Sequence, residues 1–270
     1  MHSVWILPNS FYHLQKYRLF IGSVALSTQK YYKANLIYSY GRVEDIPMGG
    51  LFRITAGKEV NEFKKRTYLG FDVSLGVSNT FLGYTYGSAG IAAFINNNLT
   101  EQGVLALSMN YFSKLLYLGN HKIRNFVNID YTRGFDRYSD EYLGFKRVKG
   151  FSDFRNDSIY GTQRISISLE SVLFSPIYFY GFRFAFFSFA DLAFLADSNE
   201  MIGKGDILSD LGIGIRIRND NLALNTFQLR LSFFPNLPDY SRIKNLAISG
   251  EQLLRPRNFD PGPPSVLVYR

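Results

Sequence analysis

The chain has 270 residues, no cysteine, 17% aromatic side chains and a formal net charge of +8. The lack of cysteine excludes a disulfide framework and thiolate metal sites, and no apolar run of about eighteen residues marks a transmembrane helix. The positive charge is scattered apart from Lys64-Lys65-Arg66, so no nucleic-acid-binding footprint is read from it.

Residues Met1 to Phe20 lack the order of a signal peptide, as expected of a mature chain, a non-exported chain or a fragment. From there helical periodicity is almost missing and period-two alternation is nearly everywhere. Strands are predicted over Leu19–Thr28 and Ala34–Gly41. The link Arg42–Gly50 reads as a turn because of its acids, Pro47 and paired glycines. Leu51–Gly57 alternates, and a polar stretch runs from Lys58 to Arg66. Tyr68–Val77 places Leu69, Phe71, Val73, Leu75 and Val77 on one face against Gly70, Asp72, Ser74 and Gly76. Phe81–Phe94 is a further strand, closed by a turn at Asn96–Asn98. Val104–Phe112 and Phe126–Phe135 follow, the latter setting Asn128, Asp130 and Thr132 against Val127, Ile129 and Tyr131. Asp136–Gly161 is a polar loop of roughly 25 residues, well beyond an ordinary hairpin connection.

Past the loop the alternation is strict. Ile165, Ile167 and Leu169 oppose Arg164, Ser166, Ser168 and Glu170; Phe182, Phe184 and Phe186 oppose Arg183, Ala185 and Phe187. Leu211, Ile213, Ile215 and Ile217 oppose Gly212, Gly214, Arg216 and Arg218. Phe227, Leu229, Leu231 and Phe233 oppose Gln228, Arg230 and Ser232, and a last strand spans Lys244–Gln252. The total is about twelve strands of roughly ten residues. A soluble sandwich exposes Lys, Glu and Thr on its polar face. Here that face carries Gly, Ser, Ala and Asn with isolated Arg and Asp, which suits a crowded interior. The other face is continuously apolar and ends in aromatics near the turns (Tyr111, Phe112, Tyr131, Phe135, Phe233, Phe234). The expectation is an all-β, antiparallel transmembrane β-barrel in one domain, 1–270.

Three features then resemble a known family. Val148-Lys149-Gly150-Phe151 in the loop resembles the V-R-G-F/Y motif of the bacterial surface antigen family. That family is the superfamily of outer-membrane protein assembly factors and two-partner-secretion transporters. Phe189-Ala-Asp191-Leu-Ala193 resembles its F-x-D-x-G strand motif, and Glu170 falls on the intervening strand, where the family carries a glutamate. Five predicted strands follow the loop, as in the family. Two positions depart from the pattern: Lys149 stands for the arginine, keeping charge but losing bidentate geometry, and Ala193 stands for the closing glycine. The resemblance implies the C-terminal part of a barrel of about sixteen strands; a self-contained barrel of about twelve is the alternative. It implies a Gram-negative outer-membrane location, a bilayer and lipopolysaccharide around the wall, and unfolded outer-membrane or secreted client polypeptides. Periplasmic domains or accessory lipoproteins are further implied partners. An anchor for an upstream periplasmic enzyme and a passive porin-like channel are the competing functions.

By alternation Asp191 shares the inward face with Arg183, Phe187 and Phe189, and Glu170 shares it with Arg164. Arg216, Arg218 and Arg230 are further inward charges. A carboxylate beside phenylalanines is poorly solvated and recruits a cation. The family pattern makes that cation Lys149, with loop 136–161 folded into the lumen as a latch on Glu170, Phe189, Asp191 and Ala193. The alternative pairs Asp191 with Arg183 or Arg216. His2, His13 and His121 lie in unrelated contexts, and no catalytic set, metal-ligand spacing or cofactor motif is found, so no enzymatic activity is expected.

Overall fold

The computed structural model describes residues 8–37, 43–148, 151, 154, 159–197, 200–219, 221, 226–237, 246–250 and 258–269. Its strands are β1 (Tyr17–Asn35), β2 (Val43–Asn61), β3 (Lys65–Asn79), β4 (Gly83–Asn96), β5 (Leu99–Ser113), β6 (Leu116–Leu118), β7 (His121–Phe135), β8 (Gln163–Phe179), β9 (Phe182–Ala196), β10 (Asp206–Asn219), β11 (Phe227–Phe233) and β12 (Leu246–Gly250). All belong to one antiparallel sheet, in which each strand pairs with its sequence neighbour from β1 to β12. The three-residue β6 hangs off this path, on β7 alone.

Tight hairpins explain this up-and-down order. Asn97 and Asn98 link β4 to β5 with φ of 51° and 63°, the paired left-handed conformation of a turn whose twist matches the flanking strands. Asparagine enters that region at low cost because its side chain bonds locally. Tyr180 and Gly181 repeat the arrangement between β8 and β9, with φ of 48° and 83°.

The alternation decides which side is buried, and it does so in reverse of a water-soluble sheet. On β3 the apolar row Leu69, Phe71, Val73, Leu75 and Val77 is exposed, while Arg66, Tyr68, Gly70, Ser74 and Gly76 are buried. On β10 and β11, Leu211, Ile213, Leu229, Leu231 and Phe233 are exposed and Asp210, Arg216 and Gln228 are buried. The buried side is hereafter the inner face. Its core holds Tyr84, Phe112, Phe126, Val172, Phe187 and Phe189, and a cavity of about 950 Å³ lies between β2–β5, β7 and β8.

Several expectations need correction. The stretch Arg42–Gly50 is no turn: from Val43 onward it is the first half of β2, paired rung by rung with β1, and Pro47 faces Tyr31. β3 begins to pair with β2 only at Gly49, so Pro47 lies where β2 is an edge strand, a position at which proline is tolerated. Ala34 accordingly closes β1 rather than opening a second strand. The polar stretch Lys58–Arg66 is the end of β2, a turn at 62–64 and the start of β3. Phe112 and Phe234, expected among the outward aromatics, point inward. Phe112 stacks on Tyr84 with ring centroids 5.0 Å apart, and Phe234 packs toward Phe151. Each has the sequence parity of inward neighbours, Asn110 and Ser232. Finally, the sheet is not closed: among the described residues β1 pairs only with β2 and β12 only with β11.

Two segments cover the inner face. Loop residues Leu143, Phe145, Val148, Phe151 and Phe154 form a buried cluster with Ala193, Leu195 and Leu208 of β9 and β10. Residues 258–269 form the other, lying across the inner sides of the early strands.

Candidate functional site

The inner face of β8–β11 carries two stacked units built alike. In one, Arg216 reaches Glu170 across the sheet (Nη2 to Oε1, 2.8 Å), donates to Gln228 at 3.0 Å and lies 4.5 Å over the Phe187 ring. In the other, Arg230 bridges Asp191 and Asp210, at 2.7 Å from the latter, and lies 3.4 Å over the Phe189 ring. Ser168 donates to Asp191 and Ser232 to Asp210.

Glycine makes this stacking possible. A Cβ at Gly212 would sit 2.4 Å from the Phe189 ring, and one at Gly214 would sit 2.2 Å from the Phe187 ring. Both rings therefore come close against β10 at these glycines, and each arginine covers a ring while meeting its carboxylate. Asp191 and Asp210 are direct cross-strand partners. Two like charges in that position repel, and both are almost fully buried. The guanidinium of Arg230 between them is what makes the pair tolerable.

The expected site residues are thus partly brought together. Glu170, Phe189 and Asp191 share the inner face, with Glu170 directly opposite Phe189. Val148 and Phe151 pack in the loop cluster that includes Ala193, where an alanine replaces the expected glycine. Lys149 and Gly150 lie outside the described residues. Of the arginines weighed for Asp191, Arg216 lies on Glu170 instead. Arg183 is eight residues along β9 from Asp191, about 26 Å at strand rise, and faces Arg218 in register. Arg164 donates to the carbonyl of Gly144 at 2.6 Å and so fastens the loop to β8.

A second charge centre was not singled out from the sequence. Arg66 forms a two-point contact with Glu59 (2.8 and 3.3 Å) and donates to Glu101 and Tyr138, each at 3.1 Å. It also lies 3.9 Å over the Phe94 ring, and Lys64 adds a second cation on Glu101. Tyr12 donates to Glu59 from the N-terminal side. Burial, and then that hydrogen bond, raise the Tyr12 phenol above its ordinary value; burial likewise raises Tyr138. The visible signal was Lys64-Lys65-Arg66, but nothing local to it shows that Arg66 points inward.

Chemically these groups form a fixed lattice of paired charges. Every carboxylate in it meets an arginine or lysine, and the lattice joins loop, wall and N-terminal segment. The chain matches no protein-family model and no curated protein.

Proposed function

We propose that this chain is part of the wall of a bacterial outer-membrane β-barrel of the assembly and secretion type that its motifs resemble, and that it handles client polypeptides. One observation carries the reading: the exposed face is apolar on strand after strand, while the buried face holds charge. Water would favour the opposite arrangement; lipid outside and a packed polar lumen inside favour this one. The strands from β3 to β10 on the sheet path run from 14 to 17 residues, longer than the 9–11 or so that a tilted strand needs to cross the hydrocarbon.

The client-handling part rests on the ordered set of Val148–Phe151, Glu170, Phe189–Ala193 and the five strands after the loop. The outer edges of β1 and β12, unpaired among the described residues, are where a client strand would add by main-chain hydrogen bonding. In this reading loop 136–161 plugs the lumen.

Two measurements test it. Full-length protein refolded into detergent or vesicles is expected to run at a different gel mobility before and after boiling, and to resist carbonate extraction. Unchanged mobility, with good solubility in detergent-free buffer, would overturn the membrane reading. Vesicles carrying the protein are expected to speed the folding of an added unfolded outer-membrane polypeptide; rates equal to those of empty vesicles would overturn client handling.

A further inference from the structure

Residues 258–269 cross the inner face from β1 to the start of β8, and the way they are held is informative. Phe259 is fully buried, and its ring tip lies 2.7 Å from where a Cβ of Gly76 would stand. Leu267 lies 3.1 Å from the corresponding point at Gly90, and Tyr269 2.7 Å from that at Gly134. Three inner-face glycines, on three different strands, are thus notches that receive three side chains of one extended segment.

Between these anchors the wall mostly grips main chain. Ser27 donates to the Phe259 carbonyl, and the Phe259 N–H donates to Gln29 at 3.0 Å. Arg53, held by Asp72 at 3.0 Å, donates to the Pro261 carbonyl at 2.8 Å. The Leu267 N–H donates to the Tyr68 hydroxyl at 2.7 Å. The Tyr269 hydroxyl, donating to the Thr162 carbonyl at 3.1 Å, adds a side-chain hydrogen bond from the segment. Main-chain contacts that tolerate many sequences, with side-chain pockets at intervals, are how proteins recognise extended polypeptide. Pro261, Pro263 and Pro264 have no N–H to offer a sheet edge, which suits a segment lying on the face rather than joining it.

Space remains beside the segment. The cavity of about 950 Å³ is lined on one side by Ser265, Val266, Leu267 and Val268, and on the other by Asp130 and Arg164 among others. That volume is at the upper end of the range of ordinary ligand pockets.

We infer that the inner face from β1 to β7 is a groove for extended polypeptide, that residues 258–269 are its resident occupant, and that a client segment with an aromatic anchor and a Leu-x-Tyr pair eight residues on exchanges with it. The inference deepens the client-handling reading and rests on it for the identity of the second occupant.

The native chain has no cysteine, so Ser74→Cys gives a single thiol on the inner wall. Its labelling by a bulky maleimide, followed in detergent micelles, reports whether the groove is covered. The triple change Phe259→Ala, Leu267→Ala and Tyr269→Ala is expected to speed labelling about tenfold or more, as local opening rather than global unfolding. A synthetic peptide of residues 258–270, added in trans, is expected to restore protection, and a scrambled peptide is not. Gly90→Val works from the wall side, because the Cβ it adds meets Leu267 first, and is expected to release the thiol as well. Equal labelling with and without the anchors would overturn resident occupancy, and equal action of the two peptides would overturn the groove. The assay needs neither lipid nor client, so it can succeed where the membrane reading fails, and the reverse.

Discussion

Glu59 and Arg66 face each other directly across the β2–β3 ladder, both side chains fully buried and their charged atoms 2.8 Å apart. No other ion pair among the described residues has both side chains so completely shielded from solvent. Removing one partner from such a pair strands the other, at a cost of roughly 3–5 kcal/mol. Arg66→Ala is therefore expected to lower stability by about that amount. Arg53→Ala breaks a pair whose side chains are 18% and 26% exposed, and is expected to cost about 1 kcal/mol or less from the ion pair itself. Urea midpoints of the refolded protein, read by gel mobility, check this; equal losses would contradict it.

Arg230 serves two carboxylates, and this makes its loss unequal to theirs. Arg230→Ala leaves Asp191 and Asp210 opposed and uncompensated, with an expected cost of roughly 3–5 kcal/mol. Asp191→Asn leaves Arg230 on Asp210 and is expected to cost roughly 1–3 kcal/mol. Adding Asp210→Asn to Arg230→Ala should recover part of the loss. A double-mutant cycle on denaturation midpoints measures the coupling, and strict additivity would contradict the bridge.

Val73 stands in the middle of the exposed apolar row of β3. If that row meets hydrocarbon, Val73→Arg is expected to cost roughly 2–4 kcal/mol in lipid. The same charge at Val77, the end of the exposed row nearest the β3–β4 turn, should cost about 1 kcal/mol or less. Yield of the heat-shiftable folded form in vesicles distinguishes the two. If both variants fold as well as the parent, the exposed row does not face lipid.

Burial pushes the Tyr269 phenol up to about 12, although Arg137, 4.2 Å from the ring centroid, opposes the shift. An unfolded tyrosine titrates near pH 10 or so. The folded value is the higher one, so the neutral phenol's contribution to docking is fully present below about pH 10 and declines as pH rises toward about 12. Labelling of Ser74→Cys, corrected for the reactivity of a free thiol, should accelerate in that window. In a Tyr269→Phe background this acceleration should be reduced.

The legible and illegible parts of the fold divide along a physical line. Leu69 to Val77 could be assigned to a face from sequence because period two is a property of the strand itself. Glu170 and Asp191 could be placed inward for the same reason. The pairing of Arg216 with Glu170 and of Arg230 with Asp191 could not, because it depends on register across three strands and on the aromatic rings that Gly212 and Gly214 admit. Pro47 was misread because a proline's cost depends on whether a neighbour needs its N–H, which is a tertiary fact. The docking of Phe259 against Ser27 and Gly76 carries no local periodic signal at all.

The strand path has one more consequence, and it is a matter of parity. Among the described residues eleven strands lie along it and every ladder is antiparallel, so β1 and β12 run in the same direction. A direct seam between them would be a parallel one, with slanted hydrogen bonds and slightly weaker pairing per residue. A ring of purely antiparallel seams instead takes an odd number of additional strands. One would make twelve, and five would make about sixteen, the number implied by the family resemblance.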